Sequence, residues 1–169
     1  MKKLISLKMF LLIYSTAISQ QKLHDGVYLV DKLTPDLSHF SHLNKTLITN
    51  KALITFNASF VEESPEEYSP LLIFTDDFVP LEFSLPPISQ KSKTQTKIVL
   101  LKLTEEASEK LEEFTERNMR RYVVIVVNGE ALTVHKIKEP ITSGLVQMTS
   151  STDNAYNELY RQLIKNVKE

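Results

Sequence analysis

The chain has 169 residues, of which 42% are hydrophobic and 24% charged, and its formal net charge is −1. This length and composition fit one globular domain, or one domain with a loosely attached segment, and leave too little chain for two full domains. The near-neutral charge argues against a nucleic-acid partner, and the absence of cysteine excludes both a disulfide scaffold and a lipid-attached amino-terminal cysteine.

The first residues are typical of a secretory signal peptide. Three lysines precede the apolar run Met9–Ile18, and the sequence Ala17-Ile18-Ser19 fits a small-x-small cleavage site. The run is about half as long as a membrane-spanning helix requires. We therefore predict a signal peptide over residues 1–19, an exported protein that is periplasmic or secreted, and no integral membrane segment after cleavage. An uncleaved membrane anchor is the alternative.

Residues 20–96 are predicted to be an N-terminal segment rich in strands. Three stretches combine β-branched and aromatic residues between turn formers: Asp25–Leu33, Thr46–Phe56 and Leu71–Phe74. The second of these is a candidate hairpin with its turn at Asn50-Lys51. Asp76 and Asp77 are interpreted as a solvated loop. Residues 84–96 contain two prolines followed by residues with almost nothing to bury, which predicts a flexible junction.

The remaining residues, 97–169, are predicted to begin with a strand and a helix. Lys97–Leu103 is continuously apolar apart from its lysines, and Thr104 is placed to cap a helix whose first two residues are acidic. The spacing of the apolar positions predicts an amphipathic helix that extends to about residue 118. Its buried face is predicted to comprise Ala107, Leu111 and Phe114.

Three strands and a second helix are predicted to follow. Arg121–Val127 is a buried strand, residues 130–137 return antiparallel to it, and Leu145–Thr149 is a last short strand. The positions predicted to form the turns are Asn128, Gly129, Pro140 and Gly144. Thr152 is predicted to cap the closing helix. Its apolar stripe comprises Tyr156, Leu159, Tyr160, Leu163, Ile164 and Val167.

These elements predict an α+β fold in which two helices pack on a mainly antiparallel sheet, with the order β-α-β-β-β-α in the C-terminal half. Several kinds of catalytic site are excluded, because three glycines are too few for a phosphate-binding loop or a nucleophile elbow and no cysteine nucleophile exists. His39 and His42 have a spacing that suits a metal, with His24, His135 or an acid as a third ligand, but a polar turn is the favoured interpretation. We predict no catalytic residue, no metal site and no cofactor.

The C-terminal half also carries a pattern of spaced motifs. Residues 97–167 resemble the head part of the first periplasmic domain of the SecD/SecDF protein-export family. The positions that match the family pattern, in chain order, are Leu103-Thr104, Thr115 with Asn118, Asn128-Gly129, Glu139-Pro140-Ile141, Gly144 and Gln147-Met148-Thr149. The chain departs from that pattern at Val134-His135, where the family has Ala-Pro, and at Ser143 and Ser150, where the family has glycines.

The resemblance implies a noncatalytic domain that binds polypeptides in the periplasm. The partner would be an exported chain or a component of the export machinery. The candidate polypeptide-binding region is Ser143, Gly144, Leu145 and Gln147, because an open strand edge offers backbone hydrogen bonds to an extended chain. Two alternatives remain open, a periplasmic hydrolase that uses histidine and acidic residues of the N-terminal half, and an envelope structural protein.

Overall fold

The computed structural model describes residues 23–33, 50–57, 70–91, 97–149 and 153–165. The strands in these ranges are β1 (Gly26–Lys32), β2 (Lys51–Ile54), β3 (Leu71–Pro80), β4 (Ile88–Lys91), β5 (Lys97–Lys102), β6 (Tyr122–Val127), β7 (Glu130–Lys136) and β8 (Leu145–Thr149). The helices are α1 (Glu105–Arg117) and α2 (Asp153–Lys165). Several predictions fall outside the described residues: the signal peptide, the His39/His42 pair, the start of the hairpin at 46–49, the Thr152 cap and Val167.

The larger sheet has five strands in the order β2-β3-β1-β6-β7, and all its neighbours are antiparallel. Continuous apolar runs such as Tyr122–Val127 suit it because both of its faces are buried. One face contributes Val27, Leu29, Val123, Ile125 and Leu132 to the main core. The opposite face contributes a second cluster that contains Tyr28, Val30, Leu71, Ile73, Val124 and Val126.

The smaller sheet has three antiparallel strands in the order β4-β5-β8. Val99 lies opposite Met148 and Leu101 opposite Val146, and these four side chains belong to the main core. The residues that alternate with Val146 and Met148 along β8 are exposed. The main core therefore lies between the two sheets, together with the apolar faces of α1 and α2.

Helix α1 forms as the sequence predicts. The Thr104 side chain accepts a hydrogen bond from the Ala107 amide at 3.2 Å, which satisfies one of the unpaired donors of the first turn. Ala107, Leu111 and Phe114 are buried in the main core, so the predicted packing face is confirmed. At the other end Asn118 caps the helix, and its side-chain amide donates to the Phe114 carbonyl at 3.0 Å.

The predicted α+β class, with mainly antiparallel strands and two helices, is confirmed. The strands form two sheets, however, because β6 and β7 join the sheet that begins with β1, whereas β5 and β8 join β4. Hydrogen-bonded pairing between β1 and β6, and between β4 and β5, thus connects residues on the two sides of the boundary predicted at residue 96.

Three local predictions were wrong. The stretch predicted as a flexible junction contains β4, which is held by backbone pairing with β5. All four residues of β4 are exposed, so the sequence shows no hydrophobic pattern that would predict a strand there. Asp76 and Asp77 lie within β3 rather than in a loop, and Asp77 forms an ion pair with Arg117 at the end of α1. Ile164 is 43% exposed and does not belong to the buried stripe of α2.

Candidate functional site

An apolar groove with a volume of about 240 Å³ opens between the two sheets. This volume lies just below the range of about 300–1,000 Å³ that is usual for small-molecule sites. The apolar residues that line it come from β1, α1, β6, β8 and the residues after β7, and they are Val27, Leu111, Val123, Ile125, Ile137, Ile141, Leu145 and Val146. The groove is therefore a gap in the main core that reaches the surface.

One side of the groove is β8, an edge strand of the smaller sheet. Leu103 donates its amide to the Gly144 carbonyl at 3.0 Å, and the same register continues along the β5–β8 ladder. Directly opposed residues in an antiparallel ladder alternate between hydrogen-bonded and non-hydrogen-bonded pairs. Leu145 and Gln147 fall in the non-hydrogen-bonded set, so their backbone groups point away from β5, toward the side on which β8 has no described neighbour.

The other side of the groove includes β7, the edge strand of the larger sheet. Ile137 donates its amide to the Arg121 carbonyl at 2.9 Å, and the same alternation directs the backbone groups of Val134 and Lys136 away from β6. Near the start of β7, residues 55–57 cover the edge through two hydrogen bonds to Ala131. Two sheet edges thus border one apolar groove.

The wall between the two edges is the loop 137–144, which is fastened to α1. The buried Thr115 hydroxyl donates to the Leu111 carbonyl at 2.7 Å and accepts the Ile141 amide at 2.9 Å. Thr115 and Ile141, which belong to two separate motifs of the family pattern, therefore contact each other in the structure. A threonine here satisfies a loop amide that would otherwise lack a partner beside an apolar groove.

The loop also approaches the first turn of α1 at Gly144. Its φ is +60°, and a Cβ placed on it would lie 2.1 Å from the Ser108 hydroxyl oxygen. Lys102 donates to the Ser143 carbonyl at 2.8 Å, and the Ser143 hydroxyl accepts the Leu145 amide at 3.2 Å. Ser143 and Gly144 therefore position the start of β8.

The titratable groups that line the groove are His135, Lys136, Lys138 and Glu139. The His135 ring nitrogen Nε2 lies 3.1 Å from the Thr133 hydroxyl. Although the residue is exposed as a whole, partial removal from water lowers the pKa of its imidazole below the ordinary value of 6.5. The Lys136 ammonium group lies 5.6 Å from the centre of the Tyr122 ring.

The predicted site residues fall into two groups. Leu145, which is 48% exposed, and Gln147 line the groove, whereas Ser143 and Gly144 hold the adjoining loop. Whether they bind a polypeptide remains a prediction. Sequence reasoning missed the contributions of Val27 and Leu111, because a buried aliphatic side chain that borders a gap has the same sequence pattern as one in a filled core.

Of the turn residues, Asn128 and Gly129 have φ values of 54° and 81° and connect β6 to β7, as predicted. Pro140 lies in the loop 137–144, which follows the end of β7 at Lys136. Histidine, aspartate and glutamate residues form no group of three that could hold a metal ion in the part of the chain that the structure describes. His24 is stacked on the Phe78 ring, with 6.0 Å between the ring centres.

None of the described helices is long and apolar enough to cross a membrane.

Comparison with known proteins shows that the C-terminal region, which contains much of the groove lining, is similar to proteins of the SecD/SecDF family. Residues 86–164 match the family described as "SecDF, P1 head subdomain". A stretch of 56 residues is 38% identical to the protein translocase subunit SecD of Acidaminococcus fermentans, and this stretch covers 33% of the chain and 13% of that relative. The predicted resemblance of the C-terminal region to the SecD/SecDF head is confirmed. The chain spans only a small part of the relative's length.

Two solved structures are similar to the chain at low identity. The first, described as a membrane component SecDF that enhances protein export, is 19% identical with a TM-score of 0.48, and the match covers 85% of this chain and 62% of the other. The second is SecDF in a super-membrane-facing form, 21% identical with a TM-score of 0.47, over 82% of this chain and 18% of the other.

Proposed function

We propose that this chain is a noncatalytic polypeptide-binding domain of the periplasm that takes part in protein export, and that its SecDF P1 head-like region, residues 86–164, carries the binding site. The observation that supports this most directly is the apolar groove bordered by the edges of two different sheets. The partner is an unfolded exported chain or a component of the export machinery.

The chemistry of the groove favours a polypeptide over a small polar ligand. Its lining is mainly aliphatic, and the buried Thr115 hydroxyl already has both a donor and an acceptor partner. Unpaired backbone groups on an edge strand bind an extended chain with little demand on its sequence. An aliphatic lining beside such an edge combines nonspecific burial with nonspecific hydrogen bonding, which suits a protein that handles many different exported chains.

The same residues argue against catalysis at this place. The described residues that line the groove include one imidazole, two ammonium groups and one carboxylate. The His135 ring nitrogen Nε2 lies 3.1 Å from the hydroxyl of Thr133, a residue outside the lining, so the lining itself pairs no nucleophile with a base. Acid-base or nucleophilic chemistry requires such a pair within hydrogen-bond reach. The proposed role is therefore binding, in line with the names of the similar proteins, which refer to protein translocation and protein export.

Photo-crosslinking in cells tests the proposal. A photoreactive amino acid replaces Leu145 or Gln147 at the groove, and matched control variants carry it at Glu109 or Glu116, which are exposed on α1. We expect the groove positions to capture unfolded secreted proteins or export components, and the control positions to capture far less. Equal capture from both sets, or turnover in an activity screen without any capture, would contradict the proposal.

A further inference from the structure

We infer that the polypeptide binds as an added β-strand on the edge of β8 with which no described strand pairs, and that every second side chain enters the apolar groove. This inference rests on the proposed function and specifies the conformation and the sequence pattern of the bound segment. It commits the site to an extended segment with aliphatic residues at alternate positions and uncharged or acidic residues at its ends.

The first reason to expect strand pairing is the direction of the backbone groups of β8. Gln147 directs its amide and carbonyl away from β5, and so does Leu145, as the register of the ladder requires. The Leu145 amide is used locally, because it donates to the Ser143 hydroxyl at 3.2 Å. The Gln147 amide, the Gln147 carbonyl and the Leu145 carbonyl therefore face the side on which no described strand pairs with β8.

The second reason is the direction in which the side chains of an added strand would point. Val146 and Met148 point into the main core, and a strand that pairs with β8 has residues alternating between the same two sides of the sheet. One set of its side chains therefore points toward the groove lining formed by residues such as Leu111 and Ile125, and the other set points to solvent. A helical segment lacks the free backbone groups to pair with β8, because its amides and carbonyls bond to one another.

The charges at the groove define the ends of the segment. Lys136 and Lys138 line it with one acidic residue, Glu139, so cations exceed anions among the described lining residues. A segment with acidic ends is attracted to this surface, whereas a lysine-rich one is repelled. The preference is expected to weaken with added salt, since these charges lie at the surface.

The test uses the full chain and a short synthetic peptide in which valine and threonine alternate between terminal glutamates. Gln147→Pro removes the outward amide without removing a bond to β5, and edge strands tolerate proline at such positions. Gln147→Ala is the matched control that removes only the side chain. We expect the proline variant to bind the peptide about tenfold more weakly than the alanine variant, because only the alanine variant keeps the outward amide. Thermal unfolding of both variants checks that the fold is kept.

A second measurement leaves the protein unchanged. Peptides N-methylated at one set of alternate residues lose the hydrogen bonds to β8, whereas peptides methylated at the other set keep them, so only one set should lose affinity. Equal effects of the two sets, together with equal binding by the Gln147 variants, would overturn strand pairing while leaving crosslinking at Leu145 as support for the proposed function. If the wild type binds no peptide and the groove crosslinks nothing, the proposed function itself is wrong.

Discussion

The two turns that contain glycine in the C-terminal region look alike in sequence and differ in their surroundings. Gly129, between β6 and β7, has φ of +81° and nothing within 4 Å of the place where a Cβ would stand. Gly144, before β8, has φ of +60° and lies against Ser108 of α1. The first glycine serves only the conformation of its own turn. The second also allows a groove wall to approach a helix, which no local sequence signal distinguishes.

The largest loss of stability is expected when Gly144 and Gly129 are each replaced by alanine in separate variants. Gly144→Ala should lower the free energy of unfolding by about 2–5 kcal/mol, because it combines a left-handed backbone with a clash against Ser108. Gly129→Ala should cost only about 1–2 kcal/mol, since only the backbone conformation opposes it. Chemical denaturation of both variants measures the difference. Equal losses would show that the close approach at Gly144 does not contribute to stability.

A smaller effect is expected at the contact between the loop and α1. Thr115→Val keeps the shape of the side chain and leaves the Ile141 amide without its acceptor, which should lower the free energy of unfolding by about 1–3 kcal/mol. Thr115→Ser keeps the hydroxyl and should retain most of this stability. Denaturation curves of the two variants provide the measurement. If valine is tolerated as well as serine, the loop is held by the contacts at Gly144 and Lys102 instead.

The difference between the two glycine turns also shows which features of the fold can be predicted from the sequence. Asn128-Gly129, the Thr104 cap and the buried face of α1 are encoded by neighbours in the chain, and all three were found from sequence patterns alone. The pairing of β1 with β6 joins residues that are 94 to 100 positions apart in the chain, and no local signal specifies it. The exposed strand β4 has no hydrophobic periodicity at all, because pairing with β5 rather than burial holds it in place.

In the candidate site, too, the features that depend on residues distant in the chain could not be predicted from the sequence. The β8 part of the groove could be anticipated, because the resemblance pointed to Leu145 and Gln147, which lie on the groove. The lining from Val27 and Leu111 could not, since it depends on how two sheets and a helix come together across the core. His135, a possible metal ligand by sequence, lies beside the groove and belongs to no group of three potential ligands among the described residues.

The smallest expected effect concerns the pH dependence of stability at His135. Desolvation lowers the pKa of the folded imidazole, so the unfolded chain takes up a proton more readily as the pH falls through the ordinary value of 6.5. Stability should therefore be complete above that pH and decline below it. The groups that line the groove with His135 are Lys136, Lys138 and Glu139.

His135→Gln should remove this component, so that the decline in stability between pH 7 and pH 5 becomes shallower than in the wild type. Thr133→Val is the matched control, because it removes the hydroxyl beside the ring and keeps the histidine, and it should retain the decline. Thermal unfolding across that pH range measures both. An unchanged slope in the glutamine variant would mean that solvent reaches the imidazole freely, and the groove beside it would then have to be wetter than its aliphatic lining indicates.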